Sequence, residues 1–178
     1  GDWSNAAFWL VAGAIGGSIG CQGLDMESPQ GDRAIAALLE EFGAETKVAL
    51  NQITATHKEM KGIRIDASQI PDLVPILCVA AAAAEGKTEI YNAGRLRMKE
   101  SDRLAVMAEC MQKIGVEVEE KPDSIIITGG CNPPEGEIVI DSHNDHRIVM
   151  AMAIAAVSLG VELTILGAEA VNKSYPSF

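Results

Sequence analysis

Three segments of the chain are apolar on nearly every face: "AAFWLVAGAI" (6–15), "LVPILCVAAAAA" (73–84) and "IVMAMAIAAVSL" (148–159). Each is long enough for a helix of about three turns and too uniformly apolar for a surface one, so the pattern predicts three helices buried all round. Between them the period changes. "RLAVMAECMQKIG" (103–115) carries Leu104, Met107, Met111 and Ile114 at spacings of three and four, the stripe of a helix with one buried face. "AETKVALNQITATHK" (44–58) and "VEVEEKPDSIIITGG" (116–130) alternate or are rich in β-branched residues, as half-buried strands are. Gly43 and Gly115 stand where amphipathic helices should stop, suited to the left-handed conformation that ends many helices.

These elements recur at a fixed interval. Asp2 opens the first apolar helix, and Asp72, seventy positions on, opens the second. "GDR" (31–33) and "SDR" (101–103) begin the two amphipathic helices, again seventy apart. Both copies finish on a short strand, "GIRID" (62–66) and "EIVID" (137–141). Asp145 starts a third copy: a helix to Gly160, a strand "VELTIL" (161–166) and a further helix expected near Ser174, half a unit short. A unit of this kind cannot bury its apolar helix alone, so neighbouring copies must bury it between them. The pattern predicts one α/β domain over 1–178, with repeats about 1–70, 71–143 and 144–178 in pseudo-threefold arrangement around the buried helices.

Composition narrows the class. Of 178 residues, 48% are hydrophobic and only 4% aromatic, so the chain is globular with an aliphatic core. No apolar run reaches membrane-spanning length; the alanine-rich stretch ends at Glu85-Gly86. The chain opens on Gly1-Asp2, with no basic segment of a signal peptide and no initiating methionine, which reads as a fragment. Four cysteines without C-x-x-C spacing suit a reduced, cytoplasmic protein better than a disulfide or metal framework. A net charge of −11 argues against nucleic acid as a partner. It leaves small anions open, because a few converging cations can reverse the field inside a cleft.

Those cations have unusual addresses. Arg103 and Arg147 both fall in the first turn of a helix, where a positive charge opposes the backbone dipole by a few tenths to about 1 kcal/mol. A cation beside free N–H groups makes an anion site; a plainer reading pairs each Arg with its neighbouring Asp or with solvent. Arg33 holds the matching place in the first repeat and has nothing further to mark it. Ser101 reads as the N-cap of its helix. Asp72, after Pro71, is explained equally well as a plain N-cap worth about 1 kcal/mol. Glu100, Lys99 and Lys173 would pass singly as solvated surface charges, and His146 as a structural histidine.

Taken together, "GDWSNAAFWLVAGAI" (1–15), "QGD" (30–32), "IPD" (70–72), "LRMKESDR" (96–103), "NDHRIVMAMAIAA" (144–156) and "VNKSYPSF" (171–178) resemble the 5-enolpyruvylshikimate-3-phosphate synthase family, in order and approximate spacing over essentially the whole chain. The resemblance implies one lobe of the enolpyruvyl transferase fold, in which each lobe is three copies of a βαβαββ unit. The other lobe, the N-terminal strands that join this one and a C-terminal helix would lie outside residues 1–178. The activity implied is transfer of the enolpyruvyl group of phosphoenolpyruvate to the 5-hydroxyl of shikimate 3-phosphate with release of phosphate, the step of aromatic amino-acid biosynthesis that is the target of glyphosate.

By motif position, the resemblance makes Asp72 a base that also contacts the shikimate hydroxyls, and makes Glu100 the group that exchanges a proton at the methylene carbon or helps another group do so. Lys99 would bind shikimate 3-phosphate. Arg103, Arg147 and Lys173 would hold phosphoenolpyruvate, with His146 beside them. No metal or organic cofactor, nucleic acid or membrane is implied; the partners are the two small anionic substrates and the other lobe. Arg95 stands where some members have a shikimate-contacting Asn, a departure that puts that contact in doubt. Two other readings stand beside this one. The related UDP-N-acetylglucosamine enolpyruvyl transferase shares the fold, though "KESDR" and "NDHR" favour the shikimate enzyme. A lobe alone, missing half its site, would be an anion-binding module without activity.

Overall fold

The computed structural model describes residues Gly1–Phe178. The three apolar segments form α1 (Trp3–Gly16), α3 (Val74–Ala83) and α5 (His146–Leu159), and the two amphipathic ones form α2 (Ile35–Phe42) and α4 (Arg103–Lys113). Helices α1, α3 and α5 pack pairwise against one another at the centre of the domain. Helix α3 is the extreme case: every residue from Val74 to Ala82 is buried, and its alanines let the neighbouring helices come close. The core is one continuous cluster of 50 buried residues, so the chain forms a single domain.

Nine strands lie outside the central helices: β1 (Ser18–Gln22), β2 (Glu45–Ala49), β3 (Gln52–Thr56), β4 (Arg64–Asp66), β5 (Lys87–Tyr91), β6 (Glu117–Lys121), β7 (Ser124–Thr128), β8 (Val139–Asp141) and β9 (Thr164–Leu166). They form three sheets, in the orders β1-β3-β2, β4-β5-β7-β6 and β8-β9. The sheets exchange strands between repeats. Strand β4 closes the first sequence repeat but pairs in parallel with β5 of the second, Ile65 opposite Ile90. Strand β8 likewise leaves the second repeat to pair in parallel with β9, Ile140 opposite Ile165. The hydrogen-bonded unit is therefore β4-α3-β5-α4-β6-β7, a βαβαββ order offset by one strand from the sequence repeat. In the first sheet β1 holds the place of β5 without a parallel neighbour, and in the third β9 has no antiparallel one.

Three local expectations need correction. Asp72 is not a cap: Pro71–Leu73 is a 3₁₀ turn, α3 begins at Val74, and no side chain caps it. The cap of α4 is Asp102, which accepts from Ala105 N at 3.0 Å, while Ser101 Oγ bonds Asp145 instead. No helix starts near Ser174. A 3₁₀ turn, Ala168–Lys173, ends there.

The last strand is also shorter than its apolar pattern suggests. Gly160, at φ 68°, ends α5, and the following Val161 N–H returns to the Ala156 carbonyl, so the chain cannot enter the sheet until Thr164. Beyond it the aromatic side chains hold the final turn in place. Phe178 sits 5.2 Å from Trp9 and 6.0 Å from Phe8, between ring centroids. Trp9 Nε1 donates to the Tyr175 hydroxyl at 3.2 Å. These contacts fix the segment carrying Lys173 against α1 and α5.

Candidate active site

The N-terminal ends of α3, α4 and α5 meet, and the charged side chains of the sequence motifs meet with them. Arg103, on the first turn of α4, is 1% exposed. Its Nε lies 2.7 Å from Asp145 Oδ2, its Nη1 2.8 Å from Asp72 Oδ1, and its Nη2 2.5 Å from Glu100 Oε2. Asp145 is fully buried and does three jobs. It caps α5 through Arg147 N, accepts from Ser101 Oγ, and grips the Arg103 guanidinium. A cation that seemed to oppose a helix dipole is thus enclosed by three carboxylates from three different parts of the chain. Neither plain reading holds for Arg103: the neighbouring Asp102 pairs with Arg97 instead, and the guanidinium does not reach solvent.

Arg147, on the first turn of α5, is held differently. Nη1 and Nη2 donate to the carbonyl and hydroxyl of Ser4, at 3.1 and 2.9 Å, and the guanidinium carbon lies 5.9 Å from the Phe8 ring centroid. Its nearest carboxylate is Asp72, at 4.0 Å. Nε is buried with no hydrogen-bond partner, as is Nδ1 of the adjacent His146. Burying a charged donor without an acceptor is costly. The Arg147 Nε–H is thus a charged donor that no protein group satisfies.

The turn before α5 is itself strained. His143 and Asn144 both have left-handed backbones, at φ 49° and 57°, which cost non-glycine residues of order 1 kcal/mol each. That turn carries Asp145 inward and leaves the Asn144 carbonyl outward, where Lys173 Nζ donates to it at 2.5 Å. Lys99 Nζ lies 3.4 Å from Asp72 Oδ1. Lys99, Glu100 and Lys173 are exposed at the rim, and Arg103, Asp145, His146 and Arg147 form the buried floor.

The electrostatics follow from this packing. Burial works to raise the pKa of Asp72, but Arg147, Lys99 and Arg103 outweigh it and hold the carboxyl below the usual range. Asp145 behaves alike, with Arg103 overcoming desolvation. Burial, then the Arg147 charge, pushes His146 down, favouring neutral imidazole. Asp32, at the start of the first repeat's second helix, goes the other way. Burial and the Asp72 carboxylate raise it to about 6 despite Arg147 nearby.

All seven side chains singled out in the sequence therefore gather around these helix ends: Asp72, Lys99, Glu100, Arg103, His146, Arg147 and Lys173. Arg33 does not join them. It is exposed and donates to the Met26 carbonyl, while Asp32 beside it turns inward. Arg95 is exposed on the 3₁₀ turn Gly94–Met98. Sequence reasoning overlooked three polar residues of the floor: Asp145 as a partner of Arg103, Ser4 as the seat of Arg147, and Asp32. A signal existed for Asp145, which occupies the repeat position of Asp2 and Asp72. Ser4 has none, because its partner is 143 residues away.

The family model for EPSP synthase (3-phosphoshikimate 1-carboxyvinyltransferase) matches residues 1–178. The chain is 49% identical, over its whole length, to the 3-phosphoshikimate 1-carboxyvinyltransferase of Clostridium kluyveri, and 45% identical to that of Pyrococcus abyssi. It spans 41% and 42% of those two proteins. Among solved structures, an EPSP synthase from Acinetobacter baumannii superimposes with a TM-score of 0.78 at 32% identity, over 98% of this chain and 43% of that one. The enolpyruvyl transferase NikO of Streptomyces tendae shares the fold at 18% identity, with a TM-score of 0.68 over 98% of this chain and 40% of its own. The chain belongs to the EPSP synthase family.

Proposed function

We propose that these helix ends form one wall of an enolpyruvyl transfer site, completed by a second lobe, in which phosphoenolpyruvate and shikimate 3-phosphate react with release of phosphate. The observation that carries this is Arg147, a buried cation whose Nε–H has no acceptor, set 4.0 Å from the Asp72 carboxylate, which also pairs with the Arg103 that holds Glu100. Shikimate-enzyme motifs at both arginines favour this acceptor over a nucleotide sugar.

In the reaction proposed, the acceptor hydroxyl oxygen attacks C2 of phosphoenolpyruvate while C3 takes a proton. Phosphate then leaves C2 as C3 gives a proton back. Asp72 takes the hydroxyl proton, and Glu100 serves the carbon. With Arg103, Lys99 and Arg147 all acting on it, Asp72 is a weak base in the free protein. Substrate phosphates and carboxylates that draw these cations off it raise its basicity when the acceptor is in place. The side-chain carboxylates thus stand where substrate anions will compete. Lys99 holds the acceptor phosphate, and Arg103, Arg147 and Lys173 hold phosphoenolpyruvate, with His146 as a neutral neighbour.

The reading places the enzyme in the cytoplasm, in keeping with four free thiols, and no helix is long and apolar enough to cross a membrane. Residues 1–178 alone, open on the side where the second lobe would sit, bind anions without turning them over. The test is Arg147→Ala in the two-lobed enzyme. Loss of a charged hydrogen bond of about 2 kcal/mol predicts roughly thirtyfold weaker phosphoenolpyruvate binding, measured by calorimetry. Arg33→Ala is expected to match the parent, and equal losses from both would sink the assignment.

A further inference from the structure

Lys99 and Glu100 lie on a stretch that its own backbone barely holds. Between the 3₁₀ turn Gly94–Met98 and α4, the main-chain bonds are Lys99 N to Leu96 O at 3.4 Å and Arg103 N to Ser101 O at 2.9 Å. Apolar packing holds only its first half. Leu96 is fully buried, but Met98, next to Lys99, is 82% exposed.

Arg97 supplies what is missing. Nε donates to the carbonyl of Pro122, in the turn between β6 and β7, and Nη2 to that of Lys121, the last residue of β6, each at 2.9 Å. Nη2 also pairs with Glu120 Oε1 at 2.8 Å, and Nη1 with Asp102 Oδ2 at 3.0 Å. Asp102 is the cap of α4, the helix that carries Arg103. The same hairpin turn holds the start of the stretch, where Asp123 accepts from Gly94 N through its side chain at 2.5 Å and from Ala93 N through its carbonyl at 2.9 Å. One planar guanidinium thus ties the hairpin, the stretch and the helix cap together. A lysine, with a single ammonium on a flexible stem, cannot reach all of them at once.

We propose that Arg97 is a positioning residue: by locking residues 97–102 onto the β6–β7 turn it sets where Lys99 and Glu100 stand. This rests on the reading that Lys99 binds the acceptor and Glu100 handles the proton at carbon. Misplacing a reacting group by about 1 Å costs up to about a hundredfold in rate.

The experiment is steady-state kinetics on Arg97→Ala and Arg97→Lys in the two-lobed enzyme, beside Glu100→Gln and the remote ion-pair variant Arg64→Ala. Arg64 pairs with Glu89 across β4 and β5, away from the site. Expected for Arg97→Ala is a fall in kcat of about tenfold or more. KM for shikimate 3-phosphate rises, KM for phosphoenolpyruvate changes less, and the melting temperature drops no further than for Arg64→Ala. Added guanidinium ion at millimolar concentration recovers part of the lost kcat. If Arg97→Ala does not fold, Arg97→Lys carries the same split of kcat and KM. Parental kcat and acceptor KM in a folded Arg97 variant, alongside lost turnover in Glu100→Gln, overturn the proposal and leave the functional reading standing. Should Glu100→Gln also keep its turnover, the functional reading fails and this proposal falls with it.

Discussion

Asp72 Oδ1 lies 2.8 Å from Arg103 Nη1, although 31 residues separate them and Asp72 stands in the 3₁₀ turn before α3 while Arg103 begins α4. The contact removes Asp72 from the capping role that its position after Pro71 suggests, and it gives Arg103 one of its three carboxylates. Asp72→Asn cannot be ionised, so it leaves Arg103, Lys99 and Arg147 short of a counter-charge. A modest loss of stability follows, about 1–2 kcal/mol after allowing for the exposed edge of Asp72. The larger effect is on chemistry: turnover per folded molecule falls by roughly a hundredfold, the scale for a lost general base. Melting curves and kcat measured together check both, and parental turnover removes Asp72 from the base role.

Asp145 is the residue on which the floor depends for its fold. It is fully buried, caps α5 and meets Arg103 through both oxygens. Asp145→Ala leaves the buried guanidinium with fewer partners and α5 uncapped. Breaking a buried pair from one side costs about 3–5 kcal/mol, so denaturant unfolding should show a loss of that order or no folded protein. Asp145→Asn keeps the cap and should recover part of it. An Ala variant as stable as the parent would show that the pair contributes nothing.

Asp32 makes stability depend on pH in the less usual direction. Its pKa rises from 3.8 in the unfolded chain to about 6 in the folded one. Between those values the folded chain binds a proton that the unfolded chain does not, so this group stabilises the fold as pH falls from about 6 towards 4. His146 opposes it. Its folded pKa lies below the ordinary 6.5, so its contribution is lost as pH drops beneath 6.5. Comparing Asp32→Asn with the parent cancels the histidine. The variant should melt higher at pH 7.5, with the gap closing by pH 4. A gap unchanged across that range contradicts the assignment.

What the sequence made legible was local. Helix, strand and stop signals follow from neighbours in the chain, and "RLAVMAECMQKIG" between Asp102 and Gly115 is a helix in the structure as in the pattern. The exchange of β4 and β8 between repeats was not legible, because parallel pairing joins residues 25 apart with no turn chemistry to announce it. The same limit applied to the site. Its membership could be named from motifs, but the three carboxylates on Arg103 come from positions 72, 100 and 145, and only folding brings them together. Ser101 was misread for the same reason: a good cap residue was drawn away by a buried acceptor 44 residues on.

The central claim is that this chain supplies one wall of an enolpyruvyl transfer site and cannot complete the reaction alone. Phosphorus NMR of phosphoenolpyruvate and shikimate 3-phosphate, mixed with residues 1–178 alone and separately with the two-lobed enzyme, tests it most directly. With both substrates, the two-lobed enzyme is expected to release the phosphoenolpyruvate phosphorus as inorganic phosphate and to move the shikimate 3-phosphate signal to that of its enolpyruvyl ether. Omitting shikimate 3-phosphate should stop it. Residues 1–178 alone are expected to leave both substrate signals unchanged while binding phosphoenolpyruvate no tighter than about millimolar, near 4 kcal/mol. Orienting two substrates needs groups from both sides of the cleft. Phosphate release by residues 1–178 alone at the rate of the two-lobed enzyme, or none from the two-lobed enzyme with both substrates, would contradict the account.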